Sequence, residues 1–322
     1  MKPLGCRTMK HNIKITLILL VMFIVTQLIG LAVIHAYNSP KQVQIYNETT
    51  KIYENITINQ TIPYGFQPPE EIKPVEALPS ILISIVVAIA LVFLLMTLKA
   101  TWFLRAWFFV VVTIGISIAL NSFLILAGVD YKYSYLIVLI VALPFSFYKI
   151  FKQDILIHNL TELLIYPGIA AVFVPILNLW TIIILLVLIS IYDIYAVWHS
   201  GFMQKMAKFQ INNLKVFGGF FVPYIPKELR DKLKSAKGKL KGKMKKVKIS
   251  LAILGGGDVI FPIITAGVVY VSKGLFPALL VTLFATIALF ILFMFSEKGK
   301  FYPAMPFITA GLLVGIGLGY LI

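Results

Sequence analysis

Leu254-Gly255-Gly256-Gly257-Asp258-Val259-Ile260-Phe261-Pro262 sets a glycine run and one carboxylate inside an otherwise apolar segment. An ionised Asp in hydrocarbon is costly unless it faces protein, water or a partner, so Asp258 marks a candidate functional site. The glycines remove side chains on the approach to the acid and let another backbone come close. That costs helix stability, which packing must offset. In the apolar segment just before, Ile191-Tyr192-Asp193-Ile194-Tyr195 carries a second lone acid. Two isolated carboxylates in successive spanning segments govern the reading of the rest.

The chain of 322 residues is 60% hydrophobic and only 13% charged, which excludes an ordinary soluble domain. Its long apolar stretches predict an all-α polytopic membrane protein. A single cysteine, Cys6, allows neither an internal disulfide nor a cysteine-rich metal site. The histidines (His11, His35, His158, His199) are scattered and no His-Glu-x-x-His motif occurs, which argues against a zinc protease. No metal ligands are visible and no cofactor is expected.

Apolar segments of spanning length fall at 15–36, 80–98, 106–127, 133–151, 158–177, 181–199, 249–271, 275–296 and 303–322. The first follows Lys2, Arg7, Lys10 and Lys14 and is too long for a signal-peptide core, so it reads as a retained signal anchor. The fifth is interrupted by Pro167-Gly168 and Pro175, which neighbouring helices make tolerable. Nine spans divide the chain into helices one to six (1–202), a basic loop (203–248) and helices seven to nine (249–322). With the N-terminus inside, the inner segments hold 24 Lys and Arg residues and the outer ones 5. That bias predicts a cytoplasmic N-terminus and 203–248 loop, with the C-terminus outside a cell membrane.

The outer loop 37–79 alternates apolar with polar residues in Val43-Gln44-Ile45-Tyr46 and Ile56-Thr57-Ile58-Asn59, a small β-hairpin signal. Sequons at Asn47, Asn55 and Asn59 suit an exposed surface, and five prolines stiffen the entry to span two. In the inner loop, residues 216–226 are apolar but too short to span, and are expected at the membrane edge beside span six. The lysine-rich run 232–248 reads as a linker held near anionic lipid headgroups, not as a nucleic-acid site.

Depth brings the acids together. At 1.5 Å per helical residue, Asp193 lies about 9 Å and Asp258 about 14 Å from the cytoplasmic ends of their spans. Antiparallel neighbouring helices would set them face to face. Two such carboxylates tend to share one proton, an arrangement that suits peptide hydrolysis. One acid activates water against the scissile carbonyl; the other hydrogen-bonds its oxygen and later helps protonate the leaving nitrogen. An unwound substrate needs exposed backbone or a sheet edge, which Gly255–Gly257 could let approach. Tyr302-Pro303-Ala304-Met305-Pro306 enters span nine level with the acids, its prolines expected to leave free carbonyls.

Tyr192-Asp193, Gly255-Gly256-Gly257-Asp258 and Pro303-Ala304-Met305 resemble, in order and spacing, the YD, GxGD and PAL motifs of the presenilin and signal-peptide-peptidase intramembrane aspartyl proteases. The chain looks most like the archaeal presenilin-type branch. The resemblance implies a presenilin-like fold of nine helices. It implies Asp193 and Asp258 as the catalytic pair, Tyr192 beside them, and Pro303, Ala304 and Met305 shaping the site and contacting substrate. Met305 stands where the motif has Leu, a flexible apolar replacement that touches substrate preference. The implied substrates are single-span membrane proteins or their remnants.

Other readings of the acids are a proton or cation site in a transporter, or a type IV prepilin peptidase, which also carries GxGD. Glu162 reads as a helix-start carboxylate and His199 as an interfacial residue. Ser190, one turn before Asp193, could bond that acid or a neighbouring helix. Trp102, Trp107, Trp180 and Trp198 read as interfacial belt residues.

Overall fold

In the computed structural model, residues 13–47, 52–59, 61–66, 74–98, 100–129, 133–152, 154–200, 218–224, 250–296 and 302–321 are described. Among them run nine long helices: α1 (Ile13–Asn38), α2 (Pro74–Thr97), α3 (Thr101–Leu126), α4 (Ser134–Phe147), α5 (Ile155–Phe173), α6 (Leu179–Tyr195), α7 (Gly256–Lys273), α8 (Leu275–Phe295) and α9 (Met305–Leu321). Single π turns, Tyr148–Lys152 and Ala196–Ser200, extend α4 and α6. Seven helices are long and apolar enough to cross a membrane; the apolar part of α2, Pro79–Leu95, and α9 are shorter. Large apolar side chains stay exposed along them, among them Val86, Ile140 and Leu156, and Trp102 is 80% exposed. Helices that are apolar on every face are what a hydrocarbon solvent demands.

Local chemistry sets several helix ends. Asp154 caps α5, its carboxylate accepting from the amides of Leu156 at 2.9 Å and Ile157 at 3.0 Å. Asn178 caps α6 by accepting from the Thr181 amide at 2.8 Å. The helix α5 runs through Pro167 and gives way to a 3-10 turn at Val174–Ile176, where Pro175 cannot continue it. Gly274, with φ of 90°, ends α7 and turns the chain at once into α8.

One apolar core joins α1, α5, α6, α7, α8 and α9. Helix α1 lies against α3, α5, α7 and α8, and the first and last helices of the chain share one interior. Helices α8 and α9 pack together along their lengths. Gly311, Gly315 and Gly319 form a small-residue stripe on α9, and a Cβ at Gly315 would come within 2.7 Å of the Val281 backbone. Small residues at four-residue spacing let membrane helices approach backbone to backbone.

Two strand pairs complete the described residues. In the outer loop β1 (Pro40–Asn47) pairs antiparallel with β2 (Ile52–Asn59), in register from Pro40 with Asn59 to Asn47 with Ile52. The chain then reaches Tyr64, whose hydroxyl bonds Ser117 on α3 and the Tyr135 carbonyl on α4. The second pair was not expected. Strand β3 (Gly219–Tyr224) pairs with β4 (Ser250–Gly255), in register from Gly219 with Gly255 to Tyr224 with Ser250.

This second pair corrects one expectation. The start of the segment 249–271 is a strand, and α7 begins only at Gly256. Three glycines in a row are poor helix formers, whereas pairing with β3 satisfies the backbone of 250–255 directly. Strand β3 lies against α5, α1 and α7. The lysine-rich run 232–248 lies outside the described residues.

Candidate active site

Asp258 occupies the third position of α7, after an N-cap Gly255 with φ of −64° and ψ of 145°. Its carboxylate turns back to accept from the Gly255 backbone amide. This is half of a capping box, with an acid in the first turn satisfying an orphan donor at the helix start. The Gly256 amide donates to the Gly218 carbonyl at 3.2 Å and so carries the strand ladder into the helix. The glycine run is thus a strand-to-helix turn, and its three glycines differ in what surrounds them. A Cβ at Gly255 would sit 3.1 Å from Asp258 Oδ2, and one at Gly256 would sit 2.7 Å from the Tyr166 hydroxyl oxygen. A Cβ at Gly257 would meet open space. The close neighbour at Gly256 is therefore a buried tyrosine from α5, not another backbone.

Asp193 lies near the end of α6 and is 6% exposed. The Met305 amide donates to its Oδ2 at 3.0 Å, and the Ala304 amide donates to the same carboxylate. These are the first donors of α9, which have no carbonyl of their own helix to reach. Pro306 falls in that first turn, where its missing N–H costs nothing. Of the carbonyls expected to be free at this entry, that of Ala304 instead accepts from Ile308 at 3.1 Å inside α9, and the segment also turns amide donors to Asp193. Pro303 and Met305 are buried, and Ala304 is partly so.

Helix α6 packs against both α7 and α9, so the three motif-bearing helices meet. The Ser190 and Thr309 hydroxyls bond at 2.8 Å between α6 and α9, so Ser190 serves a neighbouring helix. Asp193 is near enough for its charge to act on Asp258. Each acid faces the N-terminal end of a helix, Asp258 its own and Asp193 that of α9, and both ends carry partial positive charge. Tyr192 stands beside Asp193 in the chain and is 45% exposed. Among the described residues no group of three His, Cys, Asp or Glu side chains is placed to hold a metal.

A family model described as signal-peptide peptidase, presenilin aspartyl protease matches residues 65–322, a stretch that contains all three motif segments. The chain belongs to this family. Signal-peptide peptidases and presenilins are intramembrane aspartyl proteases, and a multi-pass membrane chain built around two lone aspartates is one of their kind. Two solved structures of a presenilin family intramembrane aspartate protease share the fold. One, in a C222 crystal form, has a TM-score of 0.60 at 16% identity, covering 95% of this chain and 98% of that one. The other, in a P2 form, has a TM-score of 0.56 at 18% identity, covering 95% and 97%. No curated protein sequence matches the chain.

Next to the aspartates of this presenilin-type chain lies a polar group that sequence reasoning passed over. Glu162 is 2% exposed, deep in the fold, and not a helix-start carboxylate at the rim. It pairs with Lys149 at 2.6 Å, and His158 Nε2 lies 3.4 Å from the same oxygen. The Tyr166 hydroxyl, one turn further along α5, is buried beside Glu162. From α1, the buried Gln27 donates through Nε2 to the Val259 carbonyl at 3.0 Å, one residue after Asp258. A signal did exist. His158, Asn159 and Glu162 are one turn apart in an apolar segment, too many polar groups for a face turned to lipid.

Proposed function

We propose that this chain hydrolyses peptide bonds of membrane-embedded substrates with Asp193 and Asp258 acting as a pair on one water. The ionised carboxyl takes the water proton as oxygen attacks the scissile carbonyl. The protonated carboxyl donates to the carbonyl oxygen and then serves the leaving nitrogen. The observation that carries this reading is the convergence of both carboxylates on two helix starts, one holding each acid. Amides of Ala304, Met305 and Gly255 orient the carboxylates, so Ala304 and Met305 act through backbone donors, and Pro303, which has no N–H, precedes them in the turn.

A helical peptide bond is shielded by its own hydrogen bonds, so substrate must be extended before attack. Among the described residues β4 pairs with β3 alone. Its other edge leads directly to Asp258, and addition of a substrate strand there supplies the backbone partners. Gly257, with open space beside it, lets such a strand pass close to the acid. The substrates are single-span membrane proteins or their remnants, entering a nine-span enzyme whose N-terminus and 203–248 loop face the cytoplasm. The excess of Lys and Arg on that side supports this orientation.

The test is cleavage of a single-span peptide by the purified chain in lipid. Asp193→Asn and Asp258→Asn should each lower turnover by at least about 100-fold while the helical circular dichroism stays as in the wild type. Cleavage that survives either substitution removes the pair from the mechanism.

A further inference from the structure

The strand pair that leads to Asp258 is held at one edge by side chains, and the pattern is regular. Asn159 Nδ2 donates to the Phe221 carbonyl at 2.7 Å, and the Phe221 amide donates to Asn159 Oδ1 at 2.9 Å. Two residues earlier on β3, His158 Nε2 donates to the Gly219 carbonyl at 2.8 Å, and the Gly219 amide donates to Glu162 Oε1 at 3.3 Å. Two residues later stands Pro223, which has no N–H to offer. The His158 ring also stacks on Phe221 with centroids 4.6 Å apart. Behind them Lys149 Nζ reaches both Glu162 Oε1 at 2.6 Å and His158 Nδ1 at 3.2 Å. Since the Gly219 carbonyl only accepts, Nε2 carries the imidazole proton and Nδ1 is left to accept from the lysine.

In an antiparallel pair, residues alternate between facing the partner strand and facing away. Gly219 and Phe221 turn their backbone groups to α5, so Phe220, Val222 and Tyr224 face Leu254, Ala252 and Ser250 of β4. By the same alternation Leu251 and Ile253 direct theirs to the far edge of β4. We propose that Asn159, His158 and Glu162 of α5, backed by Lys149, form a clamp on the outer edge of β3. The clamp positions Asp258 through β4 and denies that edge of β3 to an incoming strand. It completes the outer edge of β3 as a further strand would, leaving β4 as the edge that accepts one. This rests on the protease reading given above, and these four are positioning residues that do not touch substrate.

The experiment reads hydrogen exchange and cleavage kinetics on the full chain in lipid nanodiscs, with a single-span peptide as substrate and Asp193→Asn as the inactive control. Asn159→Ala and Glu162→Ala should speed amide exchange in β3 and β4 together. They should lower kcat about tenfold, as a small misplacement of a catalytic group does, with KM within about twofold. The double variant Lys149→Met/Glu162→Gln keeps an acceptor for the Gly219 amide and leaves no unpaired charge, and should cleave within about threefold of wild type. If Asn159→Ala does not fold, Asn159→Ser, which retains one hydroxyl at the strand edge, is read in the same way. Wild-type exchange and kcat in the Asn159 variant overturn the clamp. So does faster exchange confined to β3 with kcat unchanged. Should the Asp193→Asn control cleave as well as wild type, the protease reading fails, and exchange across both strands still decides the clamp.

Discussion

At the scale of single residues, each aspartate is defined by the backbone donors around it. Asp193 takes the free amides that open α9, and Asp258 takes the amide of its own N-cap. A position that tests this geometry is Gly256, where a methyl group would press on the Tyr166 hydroxyl at 2.7 Å. Gly256→Ala should lower cleavage about tenfold by displacing the first turn of α7. Adding Tyr166→Phe removes the nearest atom and should recover part of the loss. If Gly256→Ala cuts at the wild-type rate, Tyr166 does not set the position of that turn. Gly257→Ala meets no neighbour in the fold. It should leave the melting temperature unchanged and raise KM, as expected of a side chain placed where an extended substrate passes.

At the scale of elements, the sequence carried some boundaries plainly and hid others. The caps Asp154 and Asn178, the stop at Gly274 and the break at Pro175 are turn chemistry that a reader can place from residue types. The run 250–255 is different, because a short apolar stretch reads equally well as helix or strand until its partner is known. That partner, β3, lies on the other side of the lysine-rich run 232–248 in the chain. The α8–α9 contact is also an element-scale matter. Gly311, Gly315 and Gly319 repeat at four residues, a spacing legible in the sequence once helix contact is considered. Gly315→Leu should destabilise the chain by about 1–3 kcal/mol through overpacking, measured as a lower midpoint in thermal or denaturant unfolding in detergent. An unchanged midpoint would mean that α8 and α9 separate without cost. Pro303 belongs to this scale too, since it fixes the turn that aims the α9 amides at Asp193. Pro303→Ala should reduce kcat more than stability, and an equal loss of both would make its role structural.

At the scale of the whole molecule, helices from both ends of the chain share one core, with α1 seated against α5, α7 and α8. The basic bias predicts which side of the membrane the connecting loop occupies. In a Cys6→Ser background, Ala236→Cys should react with a membrane-impermeant maleimide only after cells are permeabilised, and Thr50→Cys should react in intact cells. The reverse pattern would invert the orientation. Composition and hydropathy by themselves determined the class, a helical membrane protein, because bilayer thickness and backbone desolvation leave few alternatives for such segments. The lone acids and their motif neighbours were legible for a similar reason, since ionisable groups stand out where almost nothing else is charged. Tertiary structure decided the rest. It made a strand of 250–255, aimed the amides of Ala304 and Met305 at Asp193, and buried Glu162 between Lys149 and His158. Each of these outcomes depends on which distant group arrives to satisfy a backbone or a charge, and local sequence does not encode that arrival.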